Sequence, residues 1–250
     1  MIIKTDKLMR SRPASDHYPT CASLVRAVYP AVLPQEFQPK LILDHSCGSG
    51  VWLAVAREYW PTAYTTGIEM MRLAQRPHGT TAFYNGMSFF RYAAAKRYGD
   101  TRPIDLIAGN PPYGKPHRKM AEFFTRLSLA MLPKGGYLVQ LLRLEFLASE
   151  GRVQSLWRDH PPINVFTLGR RPSFTGDGKT DATEYAVYVW RKGAQNTTYT
   201  GGWLSWEWKH DAILDAPVRE RKLLPAPKEE TYAFERSLPA TVDDLLPVSV

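Results

Sequence analysis

Asn110, Pro111, Pro112 and Tyr113 stand consecutively and carry the most chemistry in the chain. Neither proline has an N–H and each fixes its own φ, so the loop is stiff and turns carbonyl oxygens outward. An Asn side-chain oxygen beside a Pro carbonyl supplies two acceptors, which suits the two hydrogens of a planar amino group. Tyr113 adds a flat face on which a base can stack. A purely structural Asn-Pro-Pro turn is the alternative. Position argues against it, because the loop directly follows the β-like run Ile104 to Gly109, and open α/β sheets bind ligands at such strand ends.

A second cluster, Asp44-His45-Ser46-Cys47-Gly48-Ser49-Gly50, joins an apolar run to a helical one. Glycines there let backbone approach a ligand closely, and a helix N-terminus presents unpaired N–H groups. The spacing is neither the G-x-G-x-x-G dinucleotide fingerprint nor a phosphate loop, which would need a following Gly-Lys-Ser/Thr. Roughly 20 residues on stands Glu69, placed as the carboxylates that accept both hydroxyls of a ribose are placed in nucleotide-binding α/β folds. A tight βα turn with a surface Glu is equally consistent with these residues alone.

Short β-like runs alternating with helical ones position both clusters. Strands are predicted at Leu41–Asp44, Thr65–Glu69, Thr81–Tyr84, Ile104–Gly109, Tyr137–Leu142, Val165–Leu168 and Glu184–Trp190. Helices are predicted at Val51–Tyr59, Ser88–Tyr98, Met120–Leu132 and Leu144–Trp157, with an earlier one at Cys21–Val28 that Thr20 can cap. The alternation implies a mostly parallel sheet covered on both faces. No helix separates the last two strands, so they should form an antiparallel hairpin at one edge. Beyond about residue 200 come Trp203, Trp206 and Trp208 and then five prolines, which predicts one aromatic-anchored strand or turn and an extended tail. The three tryptophans are read as core packing rather than a nucleic-acid platform.

Composition bounds the partners. The 250 residues are 44% hydrophobic and 22% charged, which is ordinary globular usage. Lys and Arg number 32 against 24 Asp and Glu, a net charge of +8 that leans toward an anionic partner such as nucleic acid. Two cysteines and six scattered histidines fit neither a disulfide framework nor a metal site, so no metal is expected. No apolar run reaches membrane-span length and the first residues are charged, which reads as a soluble cytoplasmic protein.

Asp44 to Gly50, Glu69 and the Asn-Pro-Pro-Tyr run together resemble the class I S-adenosylmethionine-dependent methyltransferases, and within them the N6-adenine DNA methyltransferases, over roughly residues 16–191. The resemblance implies a Rossmann-like, doubly wound, seven-stranded sheet, mostly parallel with an antiparallel C-terminal hairpin. It implies S-adenosylmethionine as cofactor. Asp44, Ser46, Cys47, Gly48 and Gly50 then hold the methionine part and Glu69 the ribose. Asn110, Pro111, Pro112 and Tyr113 hold the target amino group. The cofactor motif precedes the catalytic one with no large recognition domain between, which resembles the gamma-type order.

Upstream, Tyr18 and Thr20 look like the segment laid over the cofactor, although Cys21 stands where proline is common. Asn85 stands where the family usually carries the Asp that meets the cofactor adenine; an Asn oxygen can accept that bond as well. The Gly-rich loop Arg171 to Lys179 resembles the segment that covers a flipped base in phage-type enzymes, with Phe174 as a stacking residue or, alternatively, as a buried one. Lys115, Arg118, Lys119 and Arg171 flank the same sheet edge, as phosphate contacts or as solvated loop charges.

The resulting organisation is a cofactor-covering segment at 1–40, a methyltransferase domain at 41–195 and an aromatic, Pro-rich extension at 196–250. The leading function is methyl transfer to N6 of adenine in DNA with base flipping. The Asn-Pro-Pro-Tyr loop reads the geometry of an amino group, not its carrier. RNA adenine or guanine, a protein glutamine, and a non-catalytic module of the same fold therefore remain alternatives.

Overall fold

A computed structural model describes residues 19–96, 102–113, 119–174 and 180–215, together with the backbone of 223–224. Tyr18, Lys115, Arg118 and the end of the loop at 175–179 lie outside the described residues.

Strands β1 (Leu41–Asp44), β2 (Tyr64–Glu69), β3 (Arg72–Leu73), β4 (Ala82–Asn85), β5 (Leu106–Gly109), β6 (Tyr137–Arg143), β7 (Asn164–Leu168), β8 (Tyr185–Arg191), β9 (Thr200–Leu204) and β10 (Leu223–Leu224) alternate with helices over the first two thirds of the chain. The helices are α1 (Ala22–Val32), α2 (Val51–Tyr59), α3 (Phe89–Lys96), α4 (Met120–Met131) and the single turn α5 (Glu150–Arg152). Eight strands form one sheet in the order β4-β2-β1-β5-β6-β8-β7-β9. All neighbours are parallel except β8, which runs antiparallel to both β6 and β7. β3 and β10 pair separately as a short antiparallel ribbon.

Two expectations change here. The sheet has eight strands, not seven, because Thr200–Leu204 adds to β7 in parallel register. The antiparallel pair also does not sit at the edge: β8 inserts between β6 and β7, and β9 takes the edge. Side-chain alternation says why β8 belongs inside. Its Tyr185 to Trp190 are all buried, and Val187 and Val189 face one apolar layer while Ala186, Tyr188 and Trp190 face the other. The helix predicted at 144–157 breaks into a 3₁₀ turn at Leu144–Phe146, α5, and a π turn at Val153–Trp157.

The period of two that buries β8 also sorts β1. Ile42 faces the layer of α1 and α2, whereas Leu41 and Leu43 face the layer of α3 and α4. Chain order reverses between β1 and β5, since β2 lies on one side of β1 and β5 on the other. A cleft opens outside the strand ends at such a reversal, and Asp44 and Asn110 follow those two ends.

Residues after 195 tie back to the beginning. Asp215 Oδ1 accepts the Ala22 N–H at 2.7 Å, capping the first turn of α1 across 193 positions. Arg26 bridges Glu58 at 2.6 Å and Asp211 at 2.9 Å. Trp206 is buried and donates to the Arg170 carbonyl at 3.0 Å. Trp203, read as core from the sequence, is instead 79% exposed on the edge strand. Its register partner Thr167 lies on β7, and among the described residues β9 has no other neighbour in the sheet.

Candidate active site at the strand-order reversal

Asp44 ends β1 with 1% of its surface exposed. Its Oδ1 accepts the Ser46 N–H at 3.1 Å, while Oδ2 is buried without a hydrogen-bond partner. Burial pushes the carboxyl up to about 8 from 3.8, against the pull of the Ser46 N–H, and the charge of Glu69 adds to the rise. Gly109 must be glycine here, since a Cβ would come within 2.6 Å of Asp44 Oδ1.

The glycines make the turn. Gly48 and Gly50 take φ of 47° and 86°, in the left-handed region. A Cβ on Gly50 would lie 2.2 Å from the His78 carbonyl oxygen, so the backbone of that loop closes directly on the turn. Glu69 ends β2 and accepts the Gly48 N–H and the Met71 N–H, each at 2.9 Å. Burial raises its pKa as well, opposed by those backbone donors. Glu69 is therefore not a surface residue: it is 8% exposed and clamps the glycine turn to β2.

Asn110 follows β5 and meets that turn. The Ser46 hydroxyl donates to the Asn110 carbonyl oxygen at 3.1 Å. Asn110 Nδ2 donates to Thr20 Oγ1 at 3.3 Å, and Thr20 Oγ1 also accepts the indole N–H of Trp52 on α2 at 3.2 Å. Thr20 does not cap α1, whose N-cap residue is Cys21 without a side-chain bond. It joins the Asn-Pro-Pro-Tyr loop to the helix of the glycine turn. The Tyr113 hydroxyl donates to Asn110 Oδ1 and lies 3.3 Å from the Leu141 carbonyl. Cys47 is buried beneath the turn, and burial pushes its thiol well above the ordinary range.

The other predicted residues fall less uniformly. Asn85 uses its side chain to pair with the Leu73 backbone, accepting the N–H at 2.8 Å and donating to the carbonyl at 2.9 Å. Phe174 is buried, edge-on to Tyr185 with centroids 5.1 Å apart, and Tyr185 lies 5.8 Å from Tyr113. Arg171 spans its own loop, donating to the carbonyls of Asp181 and Ala182 and lying 3.7 Å from Glu184. Lys119 is exposed just before α4.

A cleft of about 380 Å³ opens beside Tyr113, with Lys119, Glu122, Arg143, Glu145 and Arg152 among its walls, and Arg143 pairs with Glu145 at 3.2 Å. Arg143 lies 5.4 Å over the Tyr113 ring, and its Nε is buried without a hydrogen-bond partner. Sequence reading missed Arg143. The available signal was its place at the end of β6, next to β5, where such sheets collect ligand contacts. His45, Thr125 and Gln140 were missed as well, because a buried hydrogen-bonded trio leaves no spacing pattern.

Among the described residues no helix is long and apolar enough to cross a membrane, and no three His, Cys, Asp or Glu side chains group to hold a metal ion. No protein-family model matches the sequence, and no curated protein is similar in sequence. Solved structures are similar in fold. A Listeria monocytogenes protein assigned to the class I S-adenosylmethionine-dependent methyltransferases matches with TM-score 0.54 at 13% identity, over 82% of this chain and 71% of its own. The type I restriction-modification methyltransferase subunit of Streptococcus thermophilus matches at 0.52 and 17%, over 72% of this chain and 46% of its own. The M protein of the type I restriction enzyme EcoKI matches at 0.52 and 15%, over 74% and 47%. The chain thus spans about half the length of those two subunits. With β1 and β5 flanking the reversal and a glycine turn opening α2, the chain has the fold of the class I S-adenosylmethionine-dependent methyltransferases.

Proposed function

We propose that this protein transfers a methyl group from S-adenosylmethionine to the exocyclic N6 of adenine in DNA, on a base rotated out of the helix. One observation carries the reading. The Asn-Pro-Pro-Tyr loop and the glycine turn belong to one site, joined by the 3.1 Å bond from Ser46 to the Asn110 carbonyl and by Thr20. The likeness to restriction-modification methyltransferase subunits supports DNA as the carrier of the amino group.

The residues present fit the cofactor. Asp44 Oδ2 is a buried acceptor lacking a partner, which suits the cationic methionine end. Gly48 and Gly50 leave the turn without side chains where that end must approach. Glu69 stands at the β2 end for the ribose. Asn85 is committed to Leu73, so an adenine contact at that residue requires the pair to open. The cofactor supplies a methyl group already activated on sulfonium, so the chain need not provide a strong base.

What the chain provides is alignment. The lone pair of adenine N6 is delocalised into the ring, and accepting both N6 hydrogens at Asn110 Oδ1 and the Pro111 carbonyl turns that nitrogen toward tetrahedral geometry. The same oxygens stabilise the positive charge that develops there. At Oδ1 the amino group replaces the Tyr113 hydroxyl, which frees the ring to stack on the base. Stacking on one aromatic ring recovers about 1–3 kcal/mol per base of the few kcal/mol that flipping costs. Lys119 and Arg143, on the walls of the cleft beside Tyr113, face the backbone of the bound strand.

The test is incubation with methyl-labelled cofactor and separate DNA, RNA and protein pools, followed by nuclease digestion. N6-methyladenine in DNA is expected. Asn110→Ala should lower turnover by at least about a hundredfold, as loss of a transition-state acceptor does, while cofactor affinity stays within a few-fold. Label appearing in RNA or glutamine, or equal losses of turnover and cofactor affinity, would refute the assignment.

A further inference from the structure

Behind the Asn-Pro-Pro-Tyr loop runs a buried chain of side chains that the proposed reaction does not use. Thr125 of α4, Gln140 of β6 and His45 are 0%, 0% and 2% exposed. Thr125 Oγ1 lies 2.7 Å from Gln140 Oε1, and Gln140 Nε2 lies 3.0 Å from His45 Nε2. His45 Nδ1 lies 3.1 Å from Ser46 Oγ, which lies 3.1 Å from the Asn110 carbonyl oxygen. Four residues from three elements thus connect to one peptide group.

Thr125 Oγ1 also lies 2.8 Å from the Ala121 carbonyl, so four hydrogens serve five contacts between two carbonyl acceptors, and one end of the chain goes without. A neutral imidazole has one N–H and one acceptor nitrogen. Burial among Phe89 and Phe124, whose centroids lie 5.2 and 5.0 Å from the ring, holds His45 neutral by driving its pKa down to about 3. With Gln140 Oε1 toward Thr125, Gln140 Nε2 donates to His45 Nε2. The ring hydrogen then sits on Nδ1 and points at Ser46, which directs the Ser46 hydroxyl hydrogen to Asn110. The reverse polarity gives the Thr125 hydrogen to the Ala121 carbonyl, which α4 already supplies with a helical N–H, and takes the Ser46 hydrogen from the Asn110 carbonyl.

We infer that His45, as the Nδ1–H tautomer set by Gln140 and Thr125, is a positioning residue that orients the Asn110–Pro111 peptide through Ser46. The inference deepens the proposed methyl transfer and rests on it for its kinetic consequence alone. Pro111 has a fixed φ, so a tilt of the Asn110–Pro111 peptide plane carries with it both the Asn110 side chain and the Pro111 carbonyl. A misplacement near 1 Å at reacting atoms costs up to about a hundredfold in rate.

Two arms test it on the full chain. In ¹⁵N-histidine NMR, His45 should show a protonated Nδ1 and an unprotonated Nε2, and Ser46→Ala should shift the Nδ1 proton. A protonated Nε2 overturns the polarity whether or not the protein transfers methyl groups. In kinetics, His45→Phe keeps the aromatic packing and should lower kcat by about ten- to a hundredfold, with cofactor Kd unchanged within about threefold. Ser46→Ala should cause a similar loss. The double variant should be no worse than the poorer single one, because both break the same relay. His45→Asn, whose amide nitrogen approximates the position of Nδ1, should recover most of kcat. Additive losses, no recovery with Asn, or a parallel loss of cofactor affinity in His45→Phe would overturn the positioning role. If His45→Phe does not fold, the Ser46→Ala kinetics and its effect on the Nδ1 proton decide the matter. Absence of methyl transfer in the unaltered protein counts against the proposed function and leaves the NMR arm to judge the relay.

Discussion

Cofactor binding should release a proton, and the amount follows from Asp44. Burial keeps this carboxyl protonated up to about pH 8, well above its ordinary 3.8. Its orphaned Oδ2 can accept a cationic group only after ionising. At pH 7 a group of pKa 8 is about 91% protonated, while an α-amino group of pKa 7.7–8.0 is roughly 10–15% deprotonated, so pairing the two releases about 0.8 proton net. Below that range Kd should fall steeply as pH rises, by about eightfold between pH 6 and pH 7. Above pH 8 the sign reverses, because Asp44 is then ionised and the amino group must take up a proton. Titration calorimetry in two buffers of different ionisation enthalpy measures the proton count directly. Asp44→Asn should abolish most of the release at pH 7. Zero release across pH 6–8 in the unaltered protein, or release unchanged by Asp44→Asn, would refute this account of the site. A folding consequence has the same origin. A carboxyl with a raised folded-state pKa contributes stability that is complete below its unfolded pKa and is lost as pH rises through about 8, so the cofactor-free protein should melt lower at pH 9 than at pH 6.

Two further substitutions probe the framework. Gly50→Ala puts a Cβ 2.2 Å from the His78 carbonyl at φ +86°, and should cost on the order of 3 kcal/mol in denaturant unfolding and weaken cofactor binding; a loss under about 0.5 kcal/mol would contradict the close approach. Asp215→Ala removes the cap on the Ala22 N–H and should cost about 1 kcal/mol. Because α1 follows Thr20, the same variant should lower turnover more than cofactor affinity, which steady-state kinetics and calorimetry separate.

Much of the fold was legible from residue order. The short apolar runs at Leu41–Asp44 and Leu106–Gly109 are strands because continuous apolar stretches of that length bury both faces of a parallel sheet. The glycine turn and the proline loop were readable because their chemistry is local: a left-handed φ requires Gly, and consecutive prolines fix their own backbone. That the two motifs touch was decided by the tertiary structure, which pairs β1 with β5 and brings Ser46 to the Asn110 carbonyl.

Other features depend on contacts between residues far apart in the chain. Thr200–Leu204 is a strand only because β7 offers an open edge, and a sequence containing Gly201 and Gly202 carries no strong β signal of its own. The Asn85 amide was free to meet a nucleobase on sequence grounds, yet the β3 backbone claims it. Asp44 is an ordinary carboxylate in the sequence, and only desolvation under packed strands and helices makes it an acid near neutral pH. Residue types and spacing determined which groups carry chemistry, because those properties belong to the local chain. Burial and long-range pairing decided their protonation and their partners, because desolvation and hydrogen bonding depend on what the fold brings alongside.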